Sequence, residues 1–210
     1  HFNQALTNLQ ASEKLKDMFG QYLDPRLISH IEAGSNDFKL DGEKQTVTVM
    51  LSSLDDLDWS ENDIAFENIN AQQMINMVNE YLKVQTADSG KYKGVVNFTH
   101  TDILTFWCHP FSSNDKHIQQ ACRSMLAQVE GVSLFRQFLQ QEYPNFKNIH
   151  TIQLRAGLTC GDLVVANMGP SGARSFTVIG DEVNGASRLK GVARYFQVNS
   201  VISSAIATSL

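Results

Sequence analysis

The chain has 210 residues, an apolar fraction of 42%, a mean hydropathy of -0.21 and a formal net charge of -5. That length suits one larger domain or two small ones, and the composition is that of an ordinary soluble globular protein. The acidic balance argues against a nucleic-acid-binding surface, and no apolar run reaches the roughly 18 residues needed to cross a bilayer.

Cys108, Cys122 and Cys160 form neither a CxxC pair nor a zinc-spaced cluster, and read as reduced cysteines of a cytosolic domain. The first residue is His1 and no signal-peptide pattern follows, so the segment is expected to be part of a longer protein.

Leu6, Leu9, Leu15, Phe19 and Leu23 predict helix over residues 3 to 33. The helix restarts at Asp24-Pro25, where Asp24 can cap and Pro25 takes the first helical position. Turn-rich AGSND and LDGEK then lead into a strand over 46 to 54, in which Val47, Val49 and Leu51 alternate with Thr48, Met50 and Ser52. NINAQQMINMVNEYLKVQTAD predicts a helix whose Met74, Met77 and Tyr81 read as core.

GVVNF and DILTFWC make a hairpin across the link THT. A long helix is expected from Asp115, kinked near Gly131. HTIQLRAGLTCGDLVVANMG predicts strand, turn, strand, with Gly157 and Gly161 supplying a permissive backbone. SFTVIG is a further strand, DEVNGASRLKGVARYF a helix with a glycine in its middle, and VNSVISSAIATSL opens as a strand. Hairpins interleaved with long helices predict an α+β fold with helices on one face of the sheet. No linker divides it: one domain spans 36 to 210, behind connecting helices at 1 to 35.

INAQQMINMVNEYL, HIQQACRSMLAQ, IQLRAGLTCGDLVVANMGP and FTVIGDEVNGASRLKG resemble successive segments of the class III nucleotidyl cyclase catalytic domain. The segment TVIGDEVNGASRL is the most specific of them. LKDMFGQYLDPRLISHI is similar to the helix that joins such domains to an upstream, often membrane-bound sensor, which implies the cytoplasmic part of a membrane-anchored protein. The resemblance implies a ferredoxin-like α+β fold with a mostly antiparallel sheet, here without the family's final strand pair. It implies a dimer, with nucleotide sites at the subunit interface. One subunit supplies two aspartates for two divalent metals; the other supplies an asparagine and an arginine four apart on a helix. A nucleoside triphosphate becomes a 3′,5′-cyclic nucleotide and pyrophosphate.

On that pattern Asn184 and Arg188 match the transition-state pair, and their spacing puts both on one helical face. The planar fork of an arginine suits a phosphate. Thr177, seven residues before Asn184, falls where the family reads the purine edge and is an adenine-compatible choice. Asp102 falls at the second metal aspartate. Two positions depart: Ser53 stands in place of the first metal aspartate, and Phe98 in place of the lysine that contacts the purine.

Mg²⁺ prefers hard oxygen ligands and is anchored by carboxylates, so a serine weakens the site, and Mg or Mn binding is expected to be weak or absent. Losing one preorganised electrostatic group costs about 10²–10³ in rate. Asp55 shares the face of Ser53 but lies about 6.6–6.8 Å further on, so it is no substitute ligand. Asp55, Asp56, Asp58 and Glu61 read as a solvated acidic loop, and Leu57-Asp58-Trp59 replaces the family's triphosphate-wrapping Gly-Phe-Thr/Ser.

The resemblance thus implies an adenylate-type cyclase domain, weak or inactive as a homodimer, that serves as regulatory partner or as donor of Asn184 and Arg188 to an intact domain. Its partners would be ATP or a related triphosphate and a second cyclase domain, without nucleic acid. An active adenylate cyclase with a modified metal site, making cAMP and pyrophosphate, and a non-catalytic dimerisation and relay module are the alternatives.

Overall fold

Val47 to Asp55 are buried at every position, not at alternate ones. A strand buried on both faces must lie inside a sheet that is covered on both sides. The structure, a computed structural model, shows why; it describes residues 26, 29, 42–55, 57, 69–99, 102–113, 115–170 and 174–210. The helices expected before residue 33 lie outside the described residues, apart from Arg26 and Ser29, which are helical. The chain divides into two units, His1–Leu40 and Asp41–Leu210, and every described strand lies in the second.

Strand β1 (Glu43–Asp55) is central, antiparallel to β3 (Asp102–Trp107) on one side and to β4 (Gln153–Met168) on the other. The strand β2 (Val95–Thr99) closes the expected hairpin with β3, pairing Thr99 with Asp102. The far half of β4 pairs with β5 (Ser175–Ile179), and its near half runs parallel to the short β6 (Ser200–Ile202). The sheet is thus mostly antiparallel, in the order β2-β3-β1-β4-β5 with β6 beside β4. It curls enough for Asn97 Nδ2 on β2 to donate to the Phe176 carbonyl on β5 at 2.9 Å, although these are the two ends of the strand order.

Helices α1 (Ala71–Thr86) and α2 (His117–Glu142) cover one face. Helix α1 starts at a capping box: Asn70 accepts from the Gln73 backbone and Gln73 accepts from the Asn70 backbone, each at 2.9 Å. Its Met77 and Tyr81 pack with Met50, Leu54, Phe135 and Leu139, and Met74 lies at the cluster's edge, which is the core role expected of them. Helix α2 is tied to β1 through Thr48 Oγ1 and His117 Nδ1 at 2.7 Å, and through Ser52 Oγ donating to Gln128 Oε1 at 2.8 Å.

Helix α2 runs through Gly131 without a break; the glycine is there because a Cβ would sit 3.3 Å from Val84, so its absence lets α1 and α2 approach. Two expectations need correction. Residues 153–168 are one strand, with no turn at Gly157 or Gly161. The helices do not share one face. Helix α3 (Asp181–Tyr195) lies on the other, where a Cβ on Gly157 would be 2.0 Å from the Ala186 carbonyl oxygen. Gly157 pairs with Leu51, so it faces away from Met50 and the α1–α2 core.

The short helix α4 (Ser204–Ala207) returns Ile206 to that core. Among the described residues no helix is long and apolar enough to cross a membrane.

Candidate functional site

The face under α3 collects the charges. The β1–β3 register pairs Ser52 with Ile103, which sets Ser53 beside Asp102; on its other side Ser53 pairs with Arg155 of β4. Asp55 follows two residues later on the same face. Helix α3 begins at Gly180, whose φ of 151° is open to glycine and whose Cβ would sit 2.4 Å from Leu163. It then turns a strip of Ala186 and Ala193 to the sheet. Small residues on that strip and Gly157 beneath it bring the helix backbone down onto β4. At Gly185 a Cβ would press on Thr159 at 3.3 Å, which accounts for a glycine inside a helix.

Seated that closely, α3 reaches the carboxylates. Lys190 Nζ donates to Asp102 Oδ1 at 2.7 Å, with both side chains mostly shielded, at 18% and 30% exposure. Arg194 pairs with Asp55 Oδ1. Arg155 Nε donates to Asp55 Oδ2 at 2.9 Å, and the rest of that guanidinium donates to the Val198 carbonyl at 2.9 Å and to Gln197 Oε1 at 3.0 Å. Burial works against the charge on Asp55, but hydrogen bonds from Arg155 and Arg194 outweigh it and hold the carboxyl below its ordinary pKa.

This overturns the reading of Asp55 as part of a solvated acidic loop. It is the last residue of β1, its side chain 6% exposed, and its partner Arg155 stands 100 positions further on. Leu57 is buried; Asp56, Asp58, Trp59 and Glu61 lie outside the described residues.

The remaining predicted positions are set apart from this cluster. Asn184 and Arg188 sit on the side of α3 away from the sheet, exposed, with no hydrogen bond or ion pair among the described residues. Thr177 is half-buried on β5 opposite Ala166. Phe98 is 52% exposed on β2. The Asn97–Phe176 bond joins the neighbours of these two residues, so the curl of the sheet brings their strands together.

Lys190, Arg155 and Arg194 were not singled out from the sequence. The four-residue step from Lys190 to Arg194 was visible there, but only the strand register shows that it faces two acids.

A divalent ion fits this arrangement poorly. Asp102 already holds an ammonium, Ser53 is neutral, and among the described residues no three His, Cys, Asp or Glu side chains converge as a ligand set. Mg²⁺ or Mn²⁺ would need carboxylate oxygens that are here bonded to cations of the same chain.

No protein-family model matches the chain. In sequence it is 26% identical, over 165 residues, to adenylate cyclase 1 of Rhizobium meliloti (strain 1021), a match covering 78% of this chain and 23% of that protein. In structure it is similar to a bacterial light-regulated adenylyl cyclase, with a TM-score of 0.75 and 20% identity over 97% of this chain and 56% of that one. It is also similar to the adenylyl cyclase CyaB of P. aeruginosa, with a TM-score of 0.69 and 22% identity over 81% and 82%. The chain therefore spans less than a quarter of its curated relative and little more than half of the light-regulated enzyme. The chain is thus similar in sequence to an adenylate cyclase, and its α+β fold is that of adenylyl cyclase domains of known structure.

Proposed function

We propose that this chain is a cyclase-homology domain of cyclic-nucleotide signalling that does not complete a metal-dependent site by itself. It acts by presenting Asn184 and Arg188 to a second, intact cyclase domain that holds ATP or a related triphosphate. The observation that supports this is an asymmetry. The asparagine and arginine stand exposed, with no partner among the described residues, while the carboxylate at Asp102 is bound to Lys190 and its neighbour at Ser53 carries no charge.

An exposed arginine four residues from an asparagine can meet one ligand with both groups. Its guanidinium offers two parallel N–H donors to a phosphate, and the asparagine offers both a donor and an acceptor to a ribose. Any divalent ion belongs to the carboxylates of the partner domain. Thr177 reads the purine edge through a hydroxyl that both donates and accepts, and Phe98 leaves that edge without a cation. Residues 1 to 35 connect the domain to an upstream, membrane-anchored sensor.

The test mixes the purified chain with an intact cyclase domain whose own asparagine and arginine have been replaced. Cyclic AMP formed from ATP with Mn²⁺ is the readout. The mixture is expected to regain turnover, the chain alone to stay about 10²–10³-fold or more below it, and Asn184→Ala or Arg188→Ala to abolish the gain. Turnover of about 1 per second by the chain alone, within the ordinary range for enzymes, would instead establish an active enzyme with a modified site.

A further inference from the structure

We propose that Lys190 is a built-in cation that takes the place of a divalent metal at Asp102, and that with Arg194 it closes this carboxylate face to metal from within the chain. The proposal rests on reading Asp102 as a surviving metal carboxylate and goes on to say what now occupies it.

The geometry is matched in spacing. Asp102 lies beside Ser53, and Asp55 follows Ser53 by two residues, so the two carboxylates stand about 6.6–6.8 Å apart along the strands. Lys190 and Arg194 are four residues apart, about 6 Å along a helix axis. Laid over the strands, the helix delivers one cation to each acid: Lys190 to Asp102 at 2.7 Å and Arg194 to Asp55, where Arg155 joins it.

The helix backbone is seated on the sheet at Lys190. A Cβ on Gly157 would lie 2.6 Å from the Lys190 backbone nitrogen, so the lysine's own peptide group rests on β4. Two acids on one shielded face need compensating charge, and here the chain supplies it. An incoming ion must displace an ammonium tethered to the same fold, a competitor whose effective concentration is in the millimolar range or above. It would gain in return one carboxylate and a neutral hydroxyl, a poor set for a hard cation.

Titration of the whole chain with MnCl₂, following free Mn²⁺ by electron paramagnetic resonance, tests this apart from any cyclase activity. The unmodified chain and Ser53→Asp are expected to bind weakly. Lys190→Met in the Ser53→Asp background should tighten binding about 10-fold or more, and Lys190→Arg should not. If Ser53→Asp alone bound as tightly as the double variant, the proposal would fall. A second measurement needs no variant to fold: the Lys190 ammonium NMR signal of the unmodified chain should persist in millimolar Mn²⁺. Selective broadening at sub-millimolar Mn²⁺ would overturn the idea. Failure of the mixing assay with these results intact would remove only the role of Asn184 and Arg188.

Discussion

Helix α3 carries two pairs of polar residues at the same four-residue spacing, and the fold treats them in opposite ways. Lys190, shielded against the sheet, and Arg194, at the exposed edge of the helix, are each bonded to a carboxylate of the same chain. Asn184 and Arg188 lie on the other side and are bonded to nothing among the described residues. The first pair is structural in its energetics, since it neutralises acids that the sheet shields from water. The second makes no bond among the described residues that would hold the chain together. That contrast is what supports the proposal that Asn184 and Arg188 serve a partner domain.

Breaking the sheet-facing side should give the largest effect. Asp55→Ala leaves the guanidinium of Arg155, 3% exposed, without its acid. A buried pair broken on one side costs about 3–5 kcal/mol, so urea unfolding should show a loss of that order; a loss below about 1 kcal/mol, the range of exposed pairs, would mean that Asp55 is solvated after all.

Acid should do the same more gradually. Asp55 has its folded pKa held below the unfolded value, so its contribution is complete above about pH 3.9 and is lost as the pH falls from there through the folded value. Thermal melts taken across the acid range should therefore show a steeper decline for the unmodified chain than for Asp55→Asn.

The smallest effect on stability belongs to the exposed side. Arg188→Ala should leave the melting behaviour within about 0.5 kcal/mol, while removing the gain in the mixing assay. A large loss of stability would show that Arg188 has a partner within the fold and would erase the contrast between the two sides.

Much of the fold could be read locally. Alternation marked β1, the polar link at 99–101 marked the hairpin, and the helical pattern of NINAQQMINMVNEYLKVQTAD marked α1. Each of these depends on residues within a few positions of one another. Gly157 and Gly161 were misread as turn-formers because a glycine has two uses, backbone freedom and close approach, and only the position of α3 tells which applies. Asp55 was misread for a related reason. In a row of acids it resembles a solvated loop, and the arginines that bury it come from β4 and from the far end of α3.

Most of the order of strands and helices, the resemblance to cyclase domains, and the absence of an acid at Ser53 and of a lysine at Phe98 were determined by the sequence alone, because periodicity, motif and residue type are properties of neighbours along the chain. Which carboxylates are already neutralised, and which polar side chains of α3 find a partner among the described residues, was decided only by tertiary structure. Charge compensation depends on distance in space, and the cations that meet Asp55 and Asp102 approach them through strand register and helix packing rather than through proximity along the chain.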